Sequence, residues 1–177
     1  LNTIIASQGL YRFSAQLFKE HPEIETLSGD GTGAKIISSM MPKAPNIFKT
    51  EKFDNSIRML GRIGGQREYR YISRDYIEEN PYIDCYNLFL PEANNSGHFG
   101  ETLTLPTIGM PGDGSSDTFL SAGKFKTKQE AINLSLYIKT RFFRAMLGIK
   151  KVTQHCPPKV WEMIPLQDFT PTSDIDW

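Results

Sequence analysis

The chain has 177 residues, 39% of them hydrophobic and 11% aromatic, which suits one packed domain over 1–177 and is too short for two large ones. Lys plus Arg and Asp plus Glu are 20 each, so a uniformly basic nucleic-acid binder is excluded and any charged face must come from local clustering. Two cysteines, Cys85 and Cys156, exclude a disulfide ladder; with no apolar run of ~20 residues and no leader-like start, a soluble, cytoplasmic protein with free thiols is expected.

In chain order, residues 13–20 have a helical pattern and residues 28–35 form a glycine-rich loop. Gly29-Asp-Gly31-Thr-Gly33 invites comparison with nucleotide- or S-adenosylmethionine-binding loops. Such loops follow a buried strand and open a helix, whereas Glu23-Ile-Glu-Thr-Leu27-Ser precedes this one, so a plain turn is favoured. Residues 57–63 and Glu68-Tyr-Arg-Tyr-Ile-Ser then flank the Gly64-Gly65 pair as the two arms of a hairpin. Alternation along the second arm would aim Arg70 away from Tyr69 and Tyr71, with the tyrosines turned into the core. Residues 84–90, closed by Pro91, and residues 118–122, after the loop Gly109-Met-Pro-Gly-Asp-Gly114, are further strand candidates.

Thr127-Lys-Gln-Glu130 fits a capping box. Ala131, Leu134, Ile138, Phe142, Ala145, Met146 and Ile149 follow at helical spacing, which predicts one long helix running to Gly148 with that stripe in the core. The expected fold is therefore α+β: a single domain of short, mostly antiparallel strands with a long packing helix near the C-terminus.

Charge is partitioned along this framework. Five arginines (Arg58, Arg62, Arg67, Arg70, Arg74) stand against Glu68 alone between residues 56 and 74. Eight basic residues stand against Glu130 between residues 124 and 151, while the tail is acidic. Arginine forks suit phosphates and guanine edges, but the same residues could pair with Glu78, Glu79 and Asp84 as an ordinary solvated sheet face; charge alone leaves both open.

Catalytic chemistry finds no foothold. His21, His98, His155, Cys85 and Cys156 lack the close pairs of zinc ligands, and no Gly-x-Ser-x-Gly turn occurs. Asp113, Asp117 and Lys124 make a metal-dependent nuclease only by free choice among loop residues.

Several stretches carry a resemblance. Tyr137-Ile-Lys-Thr-Arg-Phe-Phe-Arg144, Lys150-Lys-Val-Thr-Gln-His155, Pro165-Leu-Gln-Asp-Phe169 and Ser173-Asp-Ile-Asp-Trp177 resemble the C-terminal region of N6-adenine DNA methyltransferases of restriction-modification systems. Upstream, Tyr71-Ile-Ser-Arg-Asp-Tyr-Ile77, Phe99-Gly-Glu101 and Thr118-Phe-Leu-Ser121 are similar in order and spacing, whereas the first fifty residues match less clearly. In that family a preceding catalytic domain carries the cofactor motif and an Asn-Pro-Pro-Tyr/Phe motif; here no Asn-Pro-Pro occurs, and Asn80-Pro81-Tyr82 lacks the second proline. The resemblance implies the part that reads DNA and presents adenine for flipping, with S-adenosylmethionine expected in the parent enzyme and no cofactor in this chain. The family continues the motif at Trp177, so a fragment of a larger polypeptide is expected.

The expected partners are double-stranded DNA and the methyltransferase catalytic domain, without a membrane. From residue chemistry and loop position, Arg62, Arg67, Arg70, Arg74, Lys124 and Lys126 are candidates for phosphate and base contacts, Gln66, Asn94, Asn95, Ser96 and His98 are candidate polar readers, and 128–148 is scaffold. Two alternatives remain: a protein-docking module, which predicts a dominant exposed apolar patch, and a nuclease at Asp113 or Asp117.

Overall fold

The computed structural model describes residues 1–28 and 33–177, so all but Gly33 of the glycine-rich turn at 29–33 lies outside the described residues. The fold is α+β. Two short helices, α1 (Ala15–Glu20) and α2 (Glu23–Ser28), precede β1 (Ser56–Ile63) and β2 (Gln66–Ser73). Then come β3 (Tyr86–Pro91), β4 (Thr107–Gly109), β5 (Asp113–Ser115), β6 (Phe119–Phe125), α3 (Lys128–Lys139) and α4 (Arg141–Gly148). One sheet has the order β2-β1-β5, antiparallel then parallel; the other, β4-β3-β6, is antiparallel throughout.

The β1–β2 hairpin is as its sequence demands. Gly64 and Gly65 form a two-residue turn with φ of 55° and 83°, the positive pair that glycine adopts without steric cost. Strand β3 begins at Tyr86, two residues later than expected, and keeps Pro91 as its last residue. Strand β6 runs on to Phe125 across a register shift opposite Tyr86–Leu88. The Asn-Leu-Phe-Leu run of β3 has no polar face because its sheet is covered on both sides. Phe89, with Phe119 of β6, joins a core with Tyr11, Phe13, Met59 and Ile72; Leu88 and Leu90, with Leu120 and Ala122, join a second core with the helices and the C-terminal tail. Among the described residues no helix is long and apolar enough to cross a membrane.

The single long helix is corrected to two. Its capping box forms as read, with Thr127 N donating to Glu130 Oε2 at 2.8 Å and Glu130 N to Thr127 Oγ1 at 3.3 Å. Thr140, however, is extended (φ −64°, ψ 150°), ends α3 and caps α4, its Oγ1 accepting from Phe143 N at 3.1 Å. A threonine hydroxyl competes for the backbone, and here the break rotates the second helix. Phe143 and Leu147 become buried, while Phe142 (51% exposed) and Ile149 (53%) leave the expected stripe.

Candidate nucleic-acid interface

The β1–β2 register places Arg62 directly opposite Arg67 beside the glycine turn. Like charges facing each other across a strand pair are destabilising unless neutralised. Neither guanidinium has an ion-pair partner among the described residues. Arg62 Nε donates to Gly65 O at 3.3 Å; Arg67 Nη1 donates to Thr107 Oγ1 at 2.9 Å and its guanidinium lies 5.8 Å from the Phe119 ring centre. Partial desolvation lowers the pKa of Arg67 from its ordinary value, and the neighbouring Arg62 charge adds to this.

Two adjoining grooves open at this tip and share Arg62 and Thr118. One, of about 590 Å³, runs past Gln66, Arg67, Thr104, Leu105 and Phe119. The other, of about 580 Å³, is lined by Ile37, Ser38, Ser39, Pro42 and Asp117. Ser38 is the hub of the second: its Oγ accepts from Arg62 N at 2.8 Å and bonds to Ser116 Oγ (2.7 Å) and Thr118 Oγ1 (2.8 Å). Burial raises the Asp117 carboxyl above its usual pKa, opposed by hydrogen bonds from the Ser38 and Thr118 backbone and by the Lys35 charge. Ser38, Ser39, Thr118 and Phe119 were not read as site residues, and Asp117 only as a nuclease candidate. They converge from the N-terminal third and the β5–β6 connection, and only Thr118 and Phe119 fall in a stretch the sequence singles out, as part of the resemblance.

The other candidate residues are dispersed. Arg70 is paired with Glu68 at 2.8 Å, donates to Tyr69 O at 2.9 Å and has a side chain only 19% exposed. Its expected outward orientation is corrected by the register: Arg70 faces Met59 and shares a row with the buried Ile57 and Ile72, whereas Tyr69 and Tyr71 share the row of Arg67. The parity set by the aliphatic residues outweighs the aromatic signal. Tyr69 is half-buried under Arg58, whose guanidinium lies 4.1 Å from the ring centre. Arg74 pairs with Asp84 at 2.7 Å. The solvated sheet-face reading thus describes Arg74, whose partner is Asp84; Arg70 is neutralised within its own strand by Glu68, and Arg62 and Arg67 stand outside both arrangements. Lys124 Nζ lies 5.6 Å from the Tyr82 ring centre and, with exposed Lys126, occupies the far end of β6, roughly 17 Å from Phe119 at ~3.3 Å per residue.

The loop readers mostly serve their own loop. Asn94 is corrected from exposed reader to buried brace at 2% exposure: its Oδ1 accepts from Thr104 N at 2.8 Å and its N–H donates to Gln154 O at 2.7 Å. Asn95 Nδ2 donates to Thr102 O, Ser96 donates to Glu101 through N and Oγ, and His98 remains exposed. Asp113 is closed off by Arg58, through Nε–Oδ1 at 2.8 Å and Nη2–Oδ2 at 2.7 Å, and by Met110 N at 2.9 Å.

The C-terminal stretches behind the resemblance meet in the fold with residues 99–101, whereas the stretch 71–77 packs in the first core. Glu101 pairs with Lys151, and Tyr137, Phe143, Phe169 and Trp177 form one ring cluster with centroid separations of 5.2 to 6.1 Å. They hold the second core together. Compared with known protein families, curated proteins and solved structures, the chain finds no match.

Proposed function

We propose that this chain is a duplex-DNA recognition module of an adenine-specific restriction-modification methyltransferase, presenting the target adenine to a catalytic domain outside the chain. S-adenosylmethionine and methyl transfer belong to that domain. The observation that carries the reading is the unneutralised Arg62–Arg67 pair at a slender hairpin tip, where an arriving polyanion supplies the missing countercharge. A two-stranded ribbon is narrow enough for a major groove about 12 Å wide. Exposed Gln66, next to Arg67 in the chain, adds a side-chain amide of the kind that pairs with a base edge. The motifs of the resemblance contribute as scaffold, and the division of labour is between a rigid second core and an exposed basic tip.

The test is binding of the chain to random-sequence duplex across a salt series. Each phosphate contact contributes about 0.9 to the slope of log affinity against log salt, so Arg62→Ala with Arg67→Ala is expected to reduce that slope by about 1 to 2, according to whether one or both guanidinium groups lie on phosphate. Arg70→Ala, already paired to Glu68, is expected to change it by less. An unchanged slope in the double variant refutes the phosphate role.

A second reading, docking of the catalytic domain, is favoured by a different face. Leu136, Phe142, Ile175 and Trp177 line a shallow, mainly apolar trough of about 340 Å³ along α3 and α4. If that domain seats there, Phe142→Asp abolishes its association with the chain and leaves the salt slope untouched; persistent association rejects this seat.

A further inference from the structure

We propose that Asp117 and Arg62 together read one G·C base pair from its major-groove edge, Arg62 donating to guanine O6 and N7 and Asp117 accepting from the cytosine amine. This rests on the duplex-DNA reading and assigns a specificity function to a residue with no part in phosphate contact. Asp117 and Arg62 carry opposite charges and line the same groove of about 580 Å³, yet they make no ion pair with each other. Each is held elsewhere. Asp117 is anchored through its backbone, its N donating to Ile36 O and its O accepting from Gln8 Nε2, while Arg62 Nε donates to Gly65 O.

Their separation is built into the backbone. Ser116 N donates to Leu60 O and Asp117 N to Ile36 O, both at 2.8 Å, which clips 116–118 between β1 and the segment before Ser38. Ser38 Oγ closes the frame by accepting from Arg62 N while bonding to Thr118 Oγ1. A donor fork and an anionic acceptor therefore line one groove without neutralising each other, on backbone that is hydrogen-bonded in place, and a specific contact needs such fixed support.

The chemistry selects the ligand. A phosphate offers only acceptors and would bring its charge against Asp117, so this half of the tip suits a base edge, while Arg67, on the far side of Arg62 from Asp117, suits phosphate. The major-groove edge of G·C sets two acceptors, guanine N7 and O6, beside the donating cytosine amine; an A·T pair offers a single purine acceptor and places a methyl group on the pyrimidine. Ile37 and Pro42 give the groove an apolar wall beside the two charged groups.

The experiment is selection by the full chain from a randomised duplex library, followed by affinity measurements on the enriched sequence and its single-base changes. Wild type is expected to enrich a G·C pair at one position, and Asp117→Ala and Arg62→Ala to lose discrimination at that same position by roughly 5- to 150-fold. Asp117→Ala is expected to keep the wild-type salt slope, and Arg67→Ala to lower the slope while keeping the base profile. If binding persists but the Asp117 and Arg62 variants retain the wild-type profile, or relax different positions, the inference falls and the duplex reading stands. If wild type shows no salt-sensitive duplex binding, both fall. Circular dichroism checks each fold; should Asp117→Ala unfold, Asp117→Leu, of similar size and without an acceptor, replaces it, and an unchanged profile for that variant overturns the inference equally.

Discussion

Two places in this molecule bring charge together, and they treat it in opposite ways. At the loop 92–105, the Glu101 carboxylate is enclosed by the Lys151 ammonium, by Ser96 N (3.0 Å) and Oγ (2.9 Å), and by Gly97 N at 3.0 Å. Lys151 is 2% exposed and also donates to Thr153 O. Gly97 is there because a Cβ would come within 2.5 Å of Thr153 N. At the hairpin tip, Arg62 and Arg67 face each other without an ion pair to any carboxylate of the described residues. Buried charge must be paired and hydrogen-bonded, so the clamp is architecture; unpaired charge at an exposed tip costs little in the free protein and attracts an anion from outside.

The contrast breaks most visibly at Lys151. Lys151→Met strands the Glu101 carboxylate, and a loss of about 3–5 kcal/mol is expected in urea unfolding; a loss below 1 kcal/mol would show the clamp to be dispensable. The clamp is also pH-dependent. Burial opposes ionisation of Glu101, but the Lys151 ammonium and the Ser96 and Gly97 donors prevail and hold its pKa at about 2, against 4.5 when free. Because the folded pKa is the lower one, the stabilisation is full above about pH 4.5 and is lost as pH falls towards 2. The stability difference between wild type and Glu101→Gln should therefore shrink through that window, measured by urea unfolding at stepped pH; a difference constant from pH 6 to 2 refutes the assignment.

Thr140→Ala removes the cap of α4 and is expected to cost about 1 kcal/mol in thermal unfolding. A neutral result would mean that packing of Phe143 and Leu147 alone sets the helix break. The smallest effect belongs to the tip: Arg62→Ala with Arg67→Ala should shift stability by less than about 0.5 kcal/mol, with a slight gain from relieved repulsion. A loss as large as that of Lys151→Met would place these arginines in the architecture.

The local structure was legible wherever a short-range rule governs it. The glycine pair predicts the hairpin, the Thr127–Glu130 box starts α3 at the right residue, and period-2 patterning marks β1 and β2. Legibility ended where a residue's role depends on partners distant in the chain. Asn94 looks like a surface reader until Thr104 and Gln154 enclose it; Arg70 looks like a free cation until Glu68 and Met59 claim its row. An unbroken helical wheel puts Phe142 on the core stripe, and the break at Thr140 buries Phe143 instead.

The linear chain by itself determined element type, the turn chemistry and the distribution of charge into a basic hairpin, a basic helical region and an acidic tail, because these depend on neighbours a few residues apart. Tertiary structure alone decided which charges are neutralised. Ion pairing is a matter of angstroms in space: it joins Arg58 to Asp113 and Lys151 to Glu101 across about fifty residues of sequence, and leaves Arg62 and Arg67, adjacent at the tip, to face outward together.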